Sequence, residues 1–156
     1  MTNRFFDSVL SLKSLRSLDF SKNKFYPDSQ TFIFKKLPTL KNLQTLSISQ
    51  INLCDTVVND FTTMLQNCPN LVVLNISGNT GLNPESIKKV LQTIKTKNQK
   101  LSDLDLGKLS FSNDEECFKE VAALLGQLKS LRGLNMSKIG LDDATAFYLI
   151  ESLARA

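Results

Sequence analysis

Five stretches of this chain repeat one apolar frame, and that repetition narrows the folds open to it. They read LRSLDFSKNKF (15–25), LQTLSISQINL (43–53), LVVLNISGNTGL (71–82), LSDLDLGKLSF (101–111) and LRGLNMSKIGL (131–141), with first leucines 28, 28, 30 and 30 residues apart. A fixed period of roughly 20 to 50 residues marks a solenoid, because no single unit can bury its apolar face without a neighbour. Within each stretch the second and third apolar positions, as in Leu46 and Ile48 or Leu104 and Leu106, alternate with polar residues at the strand period of two. One face of each strand therefore turns inward and the other stays wet.

A helical stretch follows each strand. In NPESIKKVLQTIKTK, Asn83 can cap, Pro84 suits the first helical position, Glu85 complements the helix N-terminus, and Ile87, Val90, Leu91 and Ile94 form one stripe. Similar stripes run through Val57, Val58, Phe61, Met64 and Leu65, through Phe118, Val121, Leu124 and Leu125, and less cleanly through Phe32, Ile33 and Leu37. Asp55, Asn113 and Asp142 or Asp143 stand where caps are expected. Strands pack about 4.8 Å apart and helices about 8–10 Å apart, so a helix-backed parallel sheet bends toward its strand side.

The frame LxxLxLxxNxL resembles that of leucine-rich repeats, and a period of 28 to 30 residues with a helical second half resembles the ribonuclease-inhibitor subtype. The resemblance implies an α/β fold, a leucine-rich-repeat solenoid forming a curved horseshoe segment of about five repeats. Parallel strands would line its concave face and helices its convex face. Residues 1–156 read as a single domain in which 1–14 is the helix of a preceding repeat and further repeats start at 15, 43, 71, 101 and 131. Phe5, Phe6, Val9, Leu10 and Leu12 fill that first helix, DDATAFYLIESLARA is the helix of the fifth repeat, and no specialised cap is legible at either end. The chain is therefore expected to be a segment of a longer array. The motif's asparagine is present only at Asn23 and Asn79, whereas Ile51, Leu109 and Ile139 occupy the equivalent positions. Repeats two, four and five are thus expected to satisfy their turns by backbone or water. The extra residue in GNTGL predicts a bulge or longer loop.

Composition excludes much catalytic chemistry. There is no histidine, so a Ser-His-Asp triad, a His-assisted cysteine nucleophile and the common His-containing metal sites are ruled out. The three cysteines, Cys54, Cys68 and Cys117, form no CxxC pair and read as reduced small hydrophobes. No GxxxxGK or GxGxxG loop occurs. The expectation is a non-enzyme with no cofactor and no metal. No apolar run approaches the roughly 18 residues of a membrane span, and the N-terminus lacks a secretory pattern, which favours a cytoplasmic setting without a membrane. With a net charge of +4, no Trp and two Tyr, nucleic acid is not an expected partner.

The frame also assigns the concave face. Its central outward column is Asp19, Ser47, Asn75, Asp105 and Asn135, and the next is Ser21, Ser49, Ser77, Gly107 and Ser137. Ser17, Thr45, Val73, Asp103 and Gly133 flank it on one side, and Lys22, Gln50, Gly78, Lys108 and Lys138 on the other. Candidate protein-binding residues are Arg16, Asp19, Lys22, Asn75, Asp103, Asp105, Lys108, Arg132, Asn135 and Lys138, with Asn79 assigned to the scaffold. A second basic cluster, Lys88, Lys89, Lys95, Lys97 and Lys100, reads as a solvated helix face.

Phrases such as LKSLRSLDFSKN and NCPNLVVLNISGN are similar to the repeats of CARMIL-type regulators of actin capping protein. That resemblance implies a non-catalytic protein-interaction scaffold in actin-cytoskeleton regulation, with protein partners, and admits a homodimer through the array. Two alternatives stay open. One is a GTPase-activating module resembling the Ran GTPase activator, and the other a substrate-recognition arm of a ubiquitin ligase or bacterial effector.

Overall fold

The computed structural model describes residues 2–111 and 115–154, without the side chains of Thr2, Asn3 and Phe5. Helix α1 (Thr2–Leu10) leads into five strand-helix units: β1 (Ser17–Asp19) and α2 (Pro27–Lys36), β2 (Thr45–Ser47) and α3 (Val58–Gln66), β3 (Val73–Asn75) and α4 (Pro84–Lys97), β4 (Asp103–Asp105) and α5 (Glu115–Gly126), β5 (Gly133–Asn135) and α6 (Asp143–Ala154). Short 3₁₀ turns at Leu37–Thr39 and Asp55–Val57 follow α2 and precede α3.

The strands pair in sequence order, all parallel, with Leu18, Leu46, Leu74, Leu104 and Leu134 in one register. The ladder runs beyond the three regular residues at both ends. Each entry carbonyl accepts two amides from the next repeat, as when Arg16 O takes Gln44 N at 2.8 Å and Thr45 N at 2.9 Å. At the exit, Ile48 N donates to Asn75 O at 2.9 Å and Gln50 N to Ser77 O at 2.9 Å. Such short strands are held because inward leucines and a long tail of backbone bonds act together.

Each helix packs on the next, so the helices form a second layer beside the sheet. The core lies between the layers. Ile87, Val90, Leu91 and Ile94 of α4 are all buried, as their spacing predicts. Phe34 and Phe61 meet at a tilt across α2 and α3 with ring centres 5.2 Å apart, and Phe6 meets Phe20 and Phe25 edge-on at 5.6 and 5.7 Å. In the last unit Leu131, Leu134 and Met136 are half-buried, while Phe147 and Ile150 of α6 are exposed.

Caps divide into three cases. Asn83 caps α4 as expected, its Oδ1 accepting Ser86 N at 2.8 Å. Asp55 does not cap α3; a 3₁₀ turn intervenes, and its carboxylate instead accepts Asn83 N of the next repeat at 2.9 Å. Asn113 lies outside the described residues.

At α6, Asp142 Oδ1 accepts Thr145 N at 2.9 Å while Asp142 N donates to Thr145 Oγ1 at 3.0 Å, a reciprocal capping box. The Thr145 amide and hydroxyl hold the Asp142 carboxyl below its ordinary value of 3.8. A depressed carboxyl stabilises the fold above that ordinary value, and its contribution is lost as pH falls through the lower folded value. Asp142→Ala is therefore expected to speed hydrogen exchange in the first turn of α6 at neutral pH. In the parent, acidification through that lower folded value should reduce the protection of the same turn relative to the intrinsic exchange rate at each pH; equal protection in parent and variant at neutral pH would contradict the box.

Candidate protein-binding surface

Asp19, Ser47, Asn75, Asp105 and Asn135 stand in one register on the outward face, as the frame predicts. Their side chains largely serve the backbone. Asp19, Asn75, Asp105 and Asn135 each turn Oδ1 to the amide two residues on, in Ser21, Ser77, Gly107 and Ser137, at 2.8 to 2.9 Å. These Asx turns close the strand exit. Ser21 also holds Asp19 below the usual carboxyl range, with Lys22 adding a smaller attraction.

Between these turns runs a serine network. Ser21 Oγ lies 2.6 Å from Ser47 Oγ, Ser77 Oγ lies 2.9 Å from Ser49 Oγ and donates to Asn75 Oδ1 at 2.7 Å, and Ser49 N donates to Ser21 Oγ at 3.2 Å. The oxygen of Asn75 is thereby occupied, which leaves its amide nitrogen as the group it can offer a partner. The centre of the strand face is thus small, polar and internally satisfied through repeats one to three.

Free charge lies toward the margins. Arg16 and Arg132 are exposed beside the strand entries, and Asp103 is exposed at the start of β4, hydrogen-bonded by the Ser102 hydroxyl. Gly133 makes room for Asp103, since a Cβ there would meet Asp103 Oδ1 at 2.3 Å.

At the strand exits stand Lys22, Gln50, Gly78, Lys108 and Lys138, and every one has positive φ, between 55° and 68°. The left-handed region costs a residue with a side chain roughly 1–2 kcal/mol, and glycine almost nothing. In the first four repeats the backbone ladder holds the conformation: Lys22 N donates to Ser49 O at 2.8 Å, Gly78 N to Gly107 O at 2.8 Å and Lys108 N to Ser137 O at 2.8 Å.

The convex lysines are differently employed. Lys88 pairs with Glu85 and Glu120, Lys89 with Asn59, Lys95 with Gln127, and Lys100 with Asn70. Apart from Glu85, each partner belongs to an adjacent repeat, so these side chains lace the units together. Glu120 and Glu85 push the Lys88 ammonium above its ordinary value. The groove of about 810 Å³ between α4 and α5 is lined in part by Glu85, Lys88, Lys89, Glu120 and Gln127.

Three buried amides are structural. Asn79 is fully buried: its Oδ1 accepts Ile51 N and Leu53 N, both at 3.0 Å, and its Nδ2 donates to Ile48 O at 2.9 Å and Ile76 O at 2.8 Å. Repeat two, expected to satisfy its turn by backbone or water, therefore borrows the side chain of repeat three. Asn23 is exposed and bonds only its own turn. Gln30 and Asn98, which frame reading passes over, donate to carbonyls across repeats at Ile51 and Asn52 and at Leu65 and Cys68. Gln30 explains the imperfect stripe of α2, because it shares the buried face with Ile33, Phe34 and Leu37.

Cys68 is buried, which pushes its thiol up to about 11 and fits a core role. Among the described residues no group of three or more Cys, Asp and Glu is placed to hold a metal, and no helix is long and apolar enough to cross a membrane. Frame reading also missed Tyr26, just ahead of α2, which is 81% exposed and of a type that often anchors interfaces.

Strand, left-handed exit and helix, repeated five times on a parallel sheet with an Asx turn in four of the five units, define a leucine-rich-repeat-like α/β solenoid. Solved structures share it. The tropomodulin C-terminal domain of Caenorhabditis elegans matches with TM-score 0.75 at 14% identity, covering 96% of this chain and 92% of that one. The leiomodin-1 actin-binding site 2 structure matches with TM-score 0.74 at 14% identity over 99% and 88% of the two chains. The Chaetomium Mex67:Mtr2 structure matches with TM-score 0.58 at 18% identity over 96% and 99%. No family model and no curated protein matches the sequence.

Proposed function

We propose that this chain is a non-catalytic protein-binding module of actin regulation, with actin its partner and the cytoplasm its setting. The observation that carries the reading is the whole-chain likeness to the leiomodin-1 actin-binding site, over 99% of this chain and 88% of that one. The periods of 28 and 30 residues, each with a helical second half, support the ribonuclease-inhibitor subtype. Arg16, Lys22, Asp103, Lys108, Arg132 and Lys138 are exposed charged groups at the margins of the strand face, and a partner meets them there. Asp19, Asn75, Asp105 and Asn135 shape the surface from which those groups project.

The test is a fluorescence-anisotropy titration of the labelled chain against monomeric and filamentous actin. Saturable binding is expected to at least one form, weakening as salt rises because the contacts are exposed charges. Absence of binding to both forms at about 100 μM actin, beyond weak but specific affinities, refutes the reading.

A further inference from the structure

We propose that the strand-exit margin formed by Lys22, Lys108 and Lys138 is a docking strip for an extended acidic segment of a protein partner. The inference rests on the protein-binding reading above and adds the chemistry of the partner. It begins from a conflict between side chain and backbone. All three lysines sit at φ between 57° and 61°, in a conformation that favours glycine, and repeat three does place Gly78 there. The conformation is held by main-chain bonds from Lys22 to Ser49 and from Lys108 to Ser137, to which the lysine side chains contribute nothing. Local turn stability thus favours glycine at every exit, yet three of the five carry an ammonium. Backbone strain retained in this way is a mark of functional surfaces.

The side chains are also available. All three are exposed, and among the described residues none forms an ion pair within 4.0 Å, in contrast to the laced lysines of the helix layer. Lys22 lies in the field of Asp19, whose carboxylate is already hydrogen-bonded by Ser21. The gap between Lys22 and Lys108 is neutral: Gln50 leans over Gly78, where a Cβ would meet its Cγ at 2.5 Å. On the inner side of the strip stand Asp19 and Asp105, which repel an anion from the sheet centre and confine it to the rim.

Spacing selects the shape of the ligand. Lys22 lies three strands from Lys108 and Lys138 one further, about 14 and 19 Å along the sheet at ~4.8 Å per strand. An extended chain advances about 3.4 Å per residue, so these intervals match acidic residues at roughly i, i+4 and i+6. All are even steps, which puts the three carboxylates on one face of an extended segment.

The experiment titrates this chain with a fluorescent twelve-residue peptide alternating glutamate and serine, beside a glutamine-serine control and a DNA duplex of similar length. Saturable binding of the glutamate peptide alone is expected. The triple substitution K22G/K108G/K138G should weaken it at least about tenfold, as removal of paired charges does. Its melting temperature should stand at or above the parent's, so that lost binding cannot be lost folding. K35A/K97A/K129A removes the same net charge from other exposed sites and should bind within about twofold of the parent, since it leaves every proposed contact in place. Equal binding of the glutamine peptide, tighter binding of the duplex, or equal weakening by both triple variants overturns the proposal. The assay contains no actin, so a chain that binds actin but not the peptide loses this inference alone, and the reverse result leaves it standing.

Discussion

Replacing Asn79 by leucine is expected to destabilise the chain by about 4 kcal/mol, and so to lower the melting temperature by roughly 8 to 16 °C. The side chain is fully buried and uses its whole hydrogen-bonding capacity: two amides donate to its oxygen, and its nitrogen donates to two carbonyls. Leucine keeps the number and branching of the heavy atoms but strands the amides of Ile51 and Leu53 and the carbonyls of Ile48 and Ile76, each costing about 1–3 kcal/mol less whatever local relaxation recovers. Repeat four shows the alternative, where Leu109 N reaches back to Leu106 O at 3.3 Å within its own turn. Repeat two lacks that closure because its Ile51 amide is given to Asn79. Asn23→Leu is the control. Its bonds are local and its side chain is exposed, so the expected cost is under about 1 kcal/mol. Equal thermal shifts for the two variants would show that Asn79 does not join the repeats.

Gly126→Val is expected to undock α6 and cost about 2–3 kcal/mol, the usual scale for overpacking. A Cβ at Gly126 would lie 2.3 Å from the Ser152 carbonyl oxygen and 3.0 Å from its carbon, and a helix backbone cannot yield as a flexible side chain can. The last helix is also the least anchored, since only Leu149 of its side chains is buried. In a solenoid each unit contacts its neighbours alone, so the strain should open the fifth unit locally. Hydrogen exchange should rise across 143–154 while α3 and α4 keep their protection. Unchanged exchange in α6 would mean that the α5–α6 packing adjusts without loss.

Much of this arrangement is legible in the frame, because strand register, inward leucines and outward columns all follow from one alignment of five units. The double duty of the central column is written there as well. Asp19-Phe20-Ser21, Asn75-Ile76-Ser77, Asp105-Leu106-Gly107 and Asn135-Met136-Ser137 all carry an Asx side chain two residues before Ser or Gly, the pattern of an Asx turn. The same residues satisfy an equally simple reading as recognition groups, and only the Oδ1 distances separate the two. The left-handed exits have a signal too, since Gly78 aligns with Lys22, Gln50, Lys108 and Lys138.

Other features are not legible at this level. The bonds from Asn79 to Ile48, Ile51 and Leu53, and from Gln30 to Ile51 and Asn52, cross from one unit to another. They depend on side-chain reach between packed layers, which a periodic pattern does not encode. The convex lysine contacts are of the same kind. Lys88 to Glu120 and Lys95 to Gln127 both join residues 32 apart, about one repeat, and their sequence neighbourhoods show only a solvated helix.

The proposed division of labour on the strand face, a centre that serves the fold and charged margins that meet a partner, is tested most directly by hydrogen exchange of the chain with and without saturating actin. Slower exchange is predicted at the strand entries and exits, around 16–24, 103–110 and 132–140, with the α3 and α4 helices unchanged. Protection confined to the helix layer, or no protection at actin concentrations that saturate binding, would contradict it.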